Sequence, residues 1–234
     1  MGFAGLVARG LPRKMLESLA ESSLTGCEIA DRIGLEYNGH VSENLFALEE
    51  AGFVAKDAGV NPDNGKVSNL CRYRICDNYT RFYLKYMQRE RELIKNGTFR
   101  FSSLEQLPGW DAIMGLQFEC LVIANLAALL PLMGLDSTLL VSAAPYLRRE
   151  TEGRKGVQID LLLQTRRAMY VVEIKRKGEI GESVVEEVAA KVDALRKRKG
   201  MSVRAVLVYD GRLSKRVPAD GYFSSLVPIE AFFK

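Results

Sequence analysis

Residues 157–175, VQIDLLLQTRRAMYVVEIK, place three charged side chains in two otherwise apolar strand-like runs, where a packed sheet excludes charge. Strand side chains alternate, so Glu173 and Lys175 share one face while Val172 and Ile174 take the other. Asp160 interrupts Val157, Ile159, Leu161, Leu162 and Leu163 on the preceding strand, and a turn at Thr165-Arg166-Arg167 folds the two strands into a hairpin. The three charges therefore converge at one end of it. Carboxylates beside an apolar sheet are costly unless they are paired or bind a metal. Their hard oxygens suit Mg²⁺ (or Mn²⁺), which keeps several waters and takes one or two protein carboxylates plus phosphate oxygens. A lysine in such a place orients or helps deprotonate a metal-bound water that attacks a phosphodiester.

The flanking segments must position this hairpin. After it, Ser183-x-x-Glu186 predicts a capping box, and Val184, Val188, Val192 and Leu195 form the apolar face of a helix ending around residues 196–199 and Gly200. VRAVLVY, residues 203–209, reads as a buried strand, so strand, helix and strand make a right-handed parallel crossover. Glu187 and Lys191, four apart on that helix, read as an ordinary surface ion pair. Before the hairpin, a helix from about Asp111 carries Glu119, and residues 139–142 begin the sheet. The apolar stretch 112–135 contains Gln117, Glu119, Asn125 and Pro131, so it reads as a buried helix and no membrane span is expected. RRETEGRK, residues 148–155, is a charged turn near the expected mouth of the site. Arg148, Arg149, Arg154 and Lys155, with Arg176 and Lys177 beyond the lysine strand, are the candidate nucleic-acid contacts, although a solvated turn is the default. Residues 222–233 add a short apolar strand.

Residues 11–76 read as three helices and a two-stranded ribbon. Leu16 and Leu19 face inward from the first helix, Thr25-Gly26-Cys27-Glu28 is a capping box for the second, and Val41, Leu45 and Leu48 recur at helical spacing in the third. Gly52-Phe53-Val54 begins a strand, and Asn61-Pro62-Asp63-Asn64-Gly65 is a turn before the strand ending at Ile75. This order looks like a winged helix. Its third helix carries Glu43, Glu49 and Glu50 without a single Lys or Arg, which favours a structural or protein-docking role over reading DNA. His40, the only histidine, is a polar residue at that helix start. Tyr79, Phe82, Tyr83, Tyr86 and Met87 then form an aromatic stripe, flanked by Arg81, Lys85 and Arg89. Its spacing fits one buried helix face, and aromatics among bases also suit single-stranded nucleic acid.

Asp160, twelve intervening residues and Glu173-Ile174-Lys175 resemble the PD-(D/E)XK nuclease superfamily. The resemblance implies a restriction-endonuclease-like αβββαβ core with a mixed sheet, here preceded by an all-α winged-helix domain. It also implies that Asp160 and Glu173 bind Mg²⁺, that Lys175 serves catalysis and that Glu119, in GLQFECLV, completes the site from its helix. In some related families the position of Glu187 and Lys191 carries a glutamine or lysine near the metal, against the surface ion pair read above. The order of winged helix, helix and nuclease-like core is similar to the C-terminal half of archaeal-type AAA ATPases. There an R-(I/V)-x-D-x-(F/Y)-x-R-F pattern follows the wing, matched here by Arg74, Ile75, Asp77, Tyr79, Arg81 and Phe82. No GxxxxGK(S/T) occurs, so ATP hydrolysis is not expected of this chain, which then corresponds to a fragment, a split product or a free-standing derivative. The expected division is a winged-helix domain with the aromatic helix at 1–95, a linker at 96–110 and the nuclease-like domain at 111–234.

Composition permits this and excludes less than it allows. At 234 residues there is room for one large or two small domains. A net charge of +4, from 33 basic and 29 acidic residues, tolerates a DNA partner without demanding one. The four cysteines, Cys27, Cys71, Cys76 and Cys120, match no zinc spacing and read as reduced thiols. The first residues, MGFAGLVARGLPRK, lack a charged start, so no signal peptide and a cytoplasmic location are expected. Two functional classes follow: a Mg²⁺-dependent DNA phosphodiesterase, and a non-catalytic regulatory or docking module that binds DNA or a protein, including a separate ATPase domain. Cutting both DNA strands needs two active sites, so a homodimer is expected of the first. A metal-free structural ion pair between Glu173 and Lys175 is a third, and predicts that Asp160 points away.

Overall fold

In the computed structural model, residues 10–62, 66–100, 103–153, 155–195 and 199–233 are described. Helix α1, Leu11–Leu19, has proline in its first turn and buries Met15, Leu16 and Leu19. Helix α2, Gly26–Arg32, opens with the expected capping box. The Thr25 hydroxyl accepts from Glu28 N–H at 3.3 Å, and the Glu28 carboxylate accepts from Thr25 N–H at 2.7 Å. Asn38 caps α3, Gly39–Glu50, which buries Val41, Leu45 and Leu48 as its spacing predicts. Strands β1, Val54–Val60, and β2, Val67–Ile75, form a small antiparallel sheet. Phe53, Val54, Tyr73 and Ile75 enter the core of the three helices, so this part of the chain is not all-α.

The segment after the ribbon departs from its sequence pattern. Helix α4, Asn78–Phe82, runs into a π-helical turn, Tyr83–Met87, in which Gln88 N–H donates to the Tyr83 carbonyl. The stripe does not form one buried face. Tyr79 is left exposed, whereas Arg81, expected on a flank, is fully buried and donates to the carbonyls of Ala20 (3.3 Å) and Ile75 (2.7 Å). Asp77 caps α4 by accepting from Thr80 N–H, and Arg74 pairs with Asp57 at 2.8 Å. The R-I-x-D-x-Y-x-R-F run thus has a structural explanation at each charged position. A short helix α5, Arg91–Lys95, follows.

Compactness divides the chain into Met1–Asp57 with Cys71–Leu116, and Ala58–Leu70 with Gln117–Lys234. The second unit is built on a sheet in the order β3-β4-β5-β6-β7, formed by Leu140–Arg148, Val157–Thr165, Ala168–Ile180, Ser202–Leu213 and Phe223–Pro228. The first three strands are antiparallel neighbours, while β5–β6 and β6–β7 are parallel. Helix α6, Trp110–Ala124, and helix α7, Leu126–Leu132, come before the sheet, and α8, Ser183–Ala194, joins β5 to β6. Phe118, Val122, Leu129 and Leu130 cover one face, on Leu161, Leu163, Val172 and Ile174. Val184 and Val188 of α8 cover the other, on Met169, Val171 and Leu207. Burial on both faces is why β4, β5 and β6 read as nearly unbroken apolar runs.

Two local expectations change, and one strand crossing is unusually close. The apolar stretch 112–135 is two helices bent by 79°. The break is at Asn125, whose side-chain amide and backbone N–H both donate to the Leu121 carbonyl, at 2.8 and 3.1 Å. Among the described residues no single helix is long and apolar enough to cross a membrane. The Ser183 capping box does not form. Glu182 holds the cap position in a helical conformation without a side-chain cap bond, and its carboxylate pairs instead with Arg216 (3.0 Å), at the start of α9, Arg216–Asp220. Finally, β5 and β6 slip register between Arg176 and Glu179, and Gly211 (φ +132°) lies so close that a Cβ would sit 1.8 Å from the Lys177 carbonyl oxygen. Gly211→Ala is expected to lower unfolding free energy by about 2 kcal/mol, read from urea denaturation. An unchanged midpoint would mean that this crossing yields freely.

Candidate functional site

The hairpin end gathers charge by a specific backbone device. Between the pairs Ala144↔Leu162 and Tyr146↔Ile159, β4 carries one residue more than β3, a bulge that brackets Asp160. The β4–β5 ladder ends at the pair Leu161↔Val172. One residue beyond it, the Asp160 carboxylate takes the place of a ladder carbonyl and accepts from Ile174 N–H at 2.9 Å. Asp160 is thus fixed beside the strand carrying Glu173 and Lys175, and does not point away from it.

Glu173 is 2% exposed and faces α8. Its carboxylate is held by the Lys191 ammonium on one oxygen and by Lys175 Nζ, at 3.2 Å, on the other. Lys175 also reaches Glu187 at 2.7 Å. Three carboxylates, Asp160, Glu173 and Glu187, therefore face two ammonium groups, leaving one uncompensated negative charge. Burial, and then the neighbouring Glu173 charge, push the Asp160 carboxyl up to about 6, with Lys191, the Ile174 N–H and Lys175 opposing. Burial acts to lower Lys175, but the Glu187 and Glu173 carboxylates prevail and hold it at about 12. It therefore stays charged at neutral pH.

Lys191 and Glu187 belong to this network and not to each other, contrary to the surface pair expected from their spacing. A signal was present. Val184, Glu187, Val188 and Lys191 fall at i, i+3, i+4 and i+7, so both charges lie on the helix face that the valines bury. Glu119 is partly buried on α6, which packs through Phe118 and Val122 on the opposite sheet face, and the hydrogen bonds and ion pairs of Asp160, Glu173 and Lys175 do not include it. Among the described residues no group of three or more His, Cys, Asp or Glu side chains is disposed to hold a metal. The carboxylate donors that do come together are Asp160 and Glu173.

The basic candidates fall at the same end of the sheet. Arg148 pairs in register with Val157 at the start of β4, while residues 175–177 of antiparallel β5 run past that start. Arg148 donates to the Lys155 carbonyl at 2.9 Å and so braces the turn, and Arg176 pairs with Asp210 at 3.2 Å. Arg149, Lys155 and Lys177 are exposed, and Arg154 lies outside the described residues. Beside Arg148 and Arg149 a cavity of about 320 Å³ is lined also by Tyr146, Thr151 and, from the ribbon tip, Asn61 and Ser68. Gln164 fixes that tip by donating to the Val60 carbonyl at 2.7 Å.

No family model matches the sequence, and no curated protein does. Among solved structures, protein VC1899 from Vibrio cholerae matches 98% of this chain and 50% of its own, at 15% identity and a TM-score of 0.41. The chain spans about half the length of that protein, and a likeness at this level identifies neither a fold family nor an activity.

Proposed function

We propose that the second unit is a PD-(D/E)XK-type, divalent-cation-dependent phosphodiesterase acting on DNA, with Asp160 and Glu173 as ligands. The observation that carries the reading is the crowding of these two carboxylates: the charge of one raises the other, and the cluster retains an uncompensated negative charge. The element order α6–β3–β4–β5–α8–β6 agrees with an αβββαβ core. Two carboxylates fit Mg²⁺ or Mn²⁺, which completes its shell with water and phosphate oxygens, so the reading does not need Glu119 as a ligand. Once bound, the cation would supply Lewis-acid polarisation of the phosphate and a more acidic water.

The chain's own residues do the rest. Asp160, tethered to Ile174 N–H, keeps one carboxylate oxygen fixed. Glu173 presents its carboxylate from a rigid strand between two lysines. Lys175, kept protonated by Glu187, acts as a fixed positive charge toward the phosphoryl oxygens and not as the base. Arg149, Lys155 and Lys177 approach the DNA backbone at the same end. A homodimer would supply the second active site for cutting both strands.

One observation favours the non-catalytic alternative, a docking module: Lys191 and Lys175 already compensate much of the acidic charge. Calorimetry with Mg²⁺ or Mn²⁺ and plasmid nicking, on wild type and Asp160→Ala, separate the two. Cation binding and nicking in wild type, both lost in the variant by about a thousandfold, are expected from several kcal/mol of metal-centred stabilisation. A folded wild type with neither property would overturn the nuclease reading and leave the docking module.

A further inference from the structure

A cleft of about 500 Å³ in the first unit lies beside the π-helical turn, away from the carboxylate cluster in sequence and chemistry. Its walls combine Lys85, Arg89 and Arg100 with Tyr86 and Phe99, and Glu90 is the one acid among its lining residues. Lys85 is paired with Glu21, on which Arg89 acts only at longer range. Arg89 and Arg100 are exposed and make no hydrogen bond or ion pair among the described residues. Such guanidinium groups suit the forked, bidentate recognition of phosphate.

The aromatic side of the cleft is rigid. Tyr86 is buried, its hydroxyl donates to the Pro108 carbonyl at 3.2 Å, and its ring lies between Phe82 (5.4 Å) and Trp110 (6.1 Å). Tyr86, within the π-helical turn, faces inward, while Lys85 and Arg89 stand along the rim. A fixed aromatic wall next to unengaged guanidinium groups, with room for a base and its phosphate, is the combination by which single-stranded nucleic acids are held without sequence reading.

We propose that this cleft binds a nucleotide unit of single-stranded nucleic acid, with Arg89 and Arg100 on the phosphate and the Phe99 side of the cleft against the base. The site is independent of the phosphodiesterase reading, because it uses neither the carboxylates nor a cation. The probe is a fluorescein-labelled oligo-dT of about a dozen nucleotides, mixed with the full chain in EDTA and followed by fluorescence anisotropy. Binding is expected to weaken steeply as salt rises from about 50 to 200 mM. Arg89→Ala with Arg100→Ala should weaken it at least about tenfold, through lost phosphate contacts. Arg166→Ala with Arg167→Ala, at the exposed turn between β4 and β5, should leave it unchanged. Thymidine monophosphate should displace the probe where the same concentration of inorganic phosphate does not. Absence of oligo-dT binding, wild-type affinity in the Arg89/Arg100 variant, or an equal loss in the Arg166/Arg167 variant would each overturn the proposal. Equal displacement by inorganic phosphate would overturn the part assigned to the base. Both pairs are exposed, and an unchanged circular dichroism spectrum excludes misfolding as a cause.

Discussion

Asp160→Asn is expected to make the protein more stable at neutral pH while removing its cation-dependent properties. Asparagine can still accept from Ile174 N–H through its carbonyl oxygen, but carries no charge to set against Glu173. In the native protein the Asp160 carboxyl sits at about 6, against 3.8 for an ordinary aspartate. Below the ordinary value the residue is protonated in both folded and unfolded chains, and it costs nothing. As pH rises through 4 to 6, the unfolded chain ionises first, so native stability falls and levels off above the folded value. Two units correspond to roughly 2–3 kcal/mol. The variant should therefore match wild type below about pH 4 and exceed it by that amount at pH 7 in urea denaturation performed without divalent cation. Parallel pH profiles for the two proteins would show that Asp160 is not the strained member of the cluster. A gain in stability joined to a loss of nicking is the pattern of a residue retained for function.

Lys191→Ala should have the opposite sign. Glu173 is 2% exposed, and removing one of its two ammonium partners leaves a buried carboxylate underpaired, at a cost on the order of 3 kcal/mol at pH 7. Lys191→Arg, which keeps a charge on the same helix face, should recover most of it. The informative comparison adds Mg²⁺. A cation held by Asp160 and Glu173 takes over the compensation that Lys191 provides, so saturating Mg²⁺ should narrow the gap between variant and wild type. If the gap stays constant while the variant is destabilised, Lys191 and Glu173 form a structural pair and the carboxylates hold no cation. If the variant is as stable as wild type, the charge of Glu173 is satisfied without α8.

The site was legible in the sequence where strand periodicity governs. Asp160, Glu173 and Lys175 conflict with apolar surroundings, a two-residue alternation settles which neighbours share a face, and Arg166-Arg167 can only be a turn between such strands. The same holds for the Thr25–Glu28 box, whose bonds are local to four residues. Spacing alone was insufficient for the rest. Glu187 and Lys191 look like a surface pair until α8 is laid on the sheet with its valines down, and only that packing turns both charges toward Glu173 and Lys175. Glu119 matches a motif, and the hydrogen bonds and ion pairs of Asp160, Glu173 and Lys175 do not include it.

What the sequence determined by itself, then, is local chemistry: which strands are apolar on both faces, where charge intrudes on them, and which helix starts carry their own caps. What only the tertiary structure decided is partnership across elements. The burial of Arg81 and exposure of Tyr79 on α4, the Asn125 break between α6 and α7, and the exchange of an α8 surface pair for two ion pairs to β5 are examples. In each, the competing local pattern differs by about 1 kcal/mol or less. Burying a face or satisfying a buried charge is worth several times that, so packing overrides periodicity wherever the two disagree.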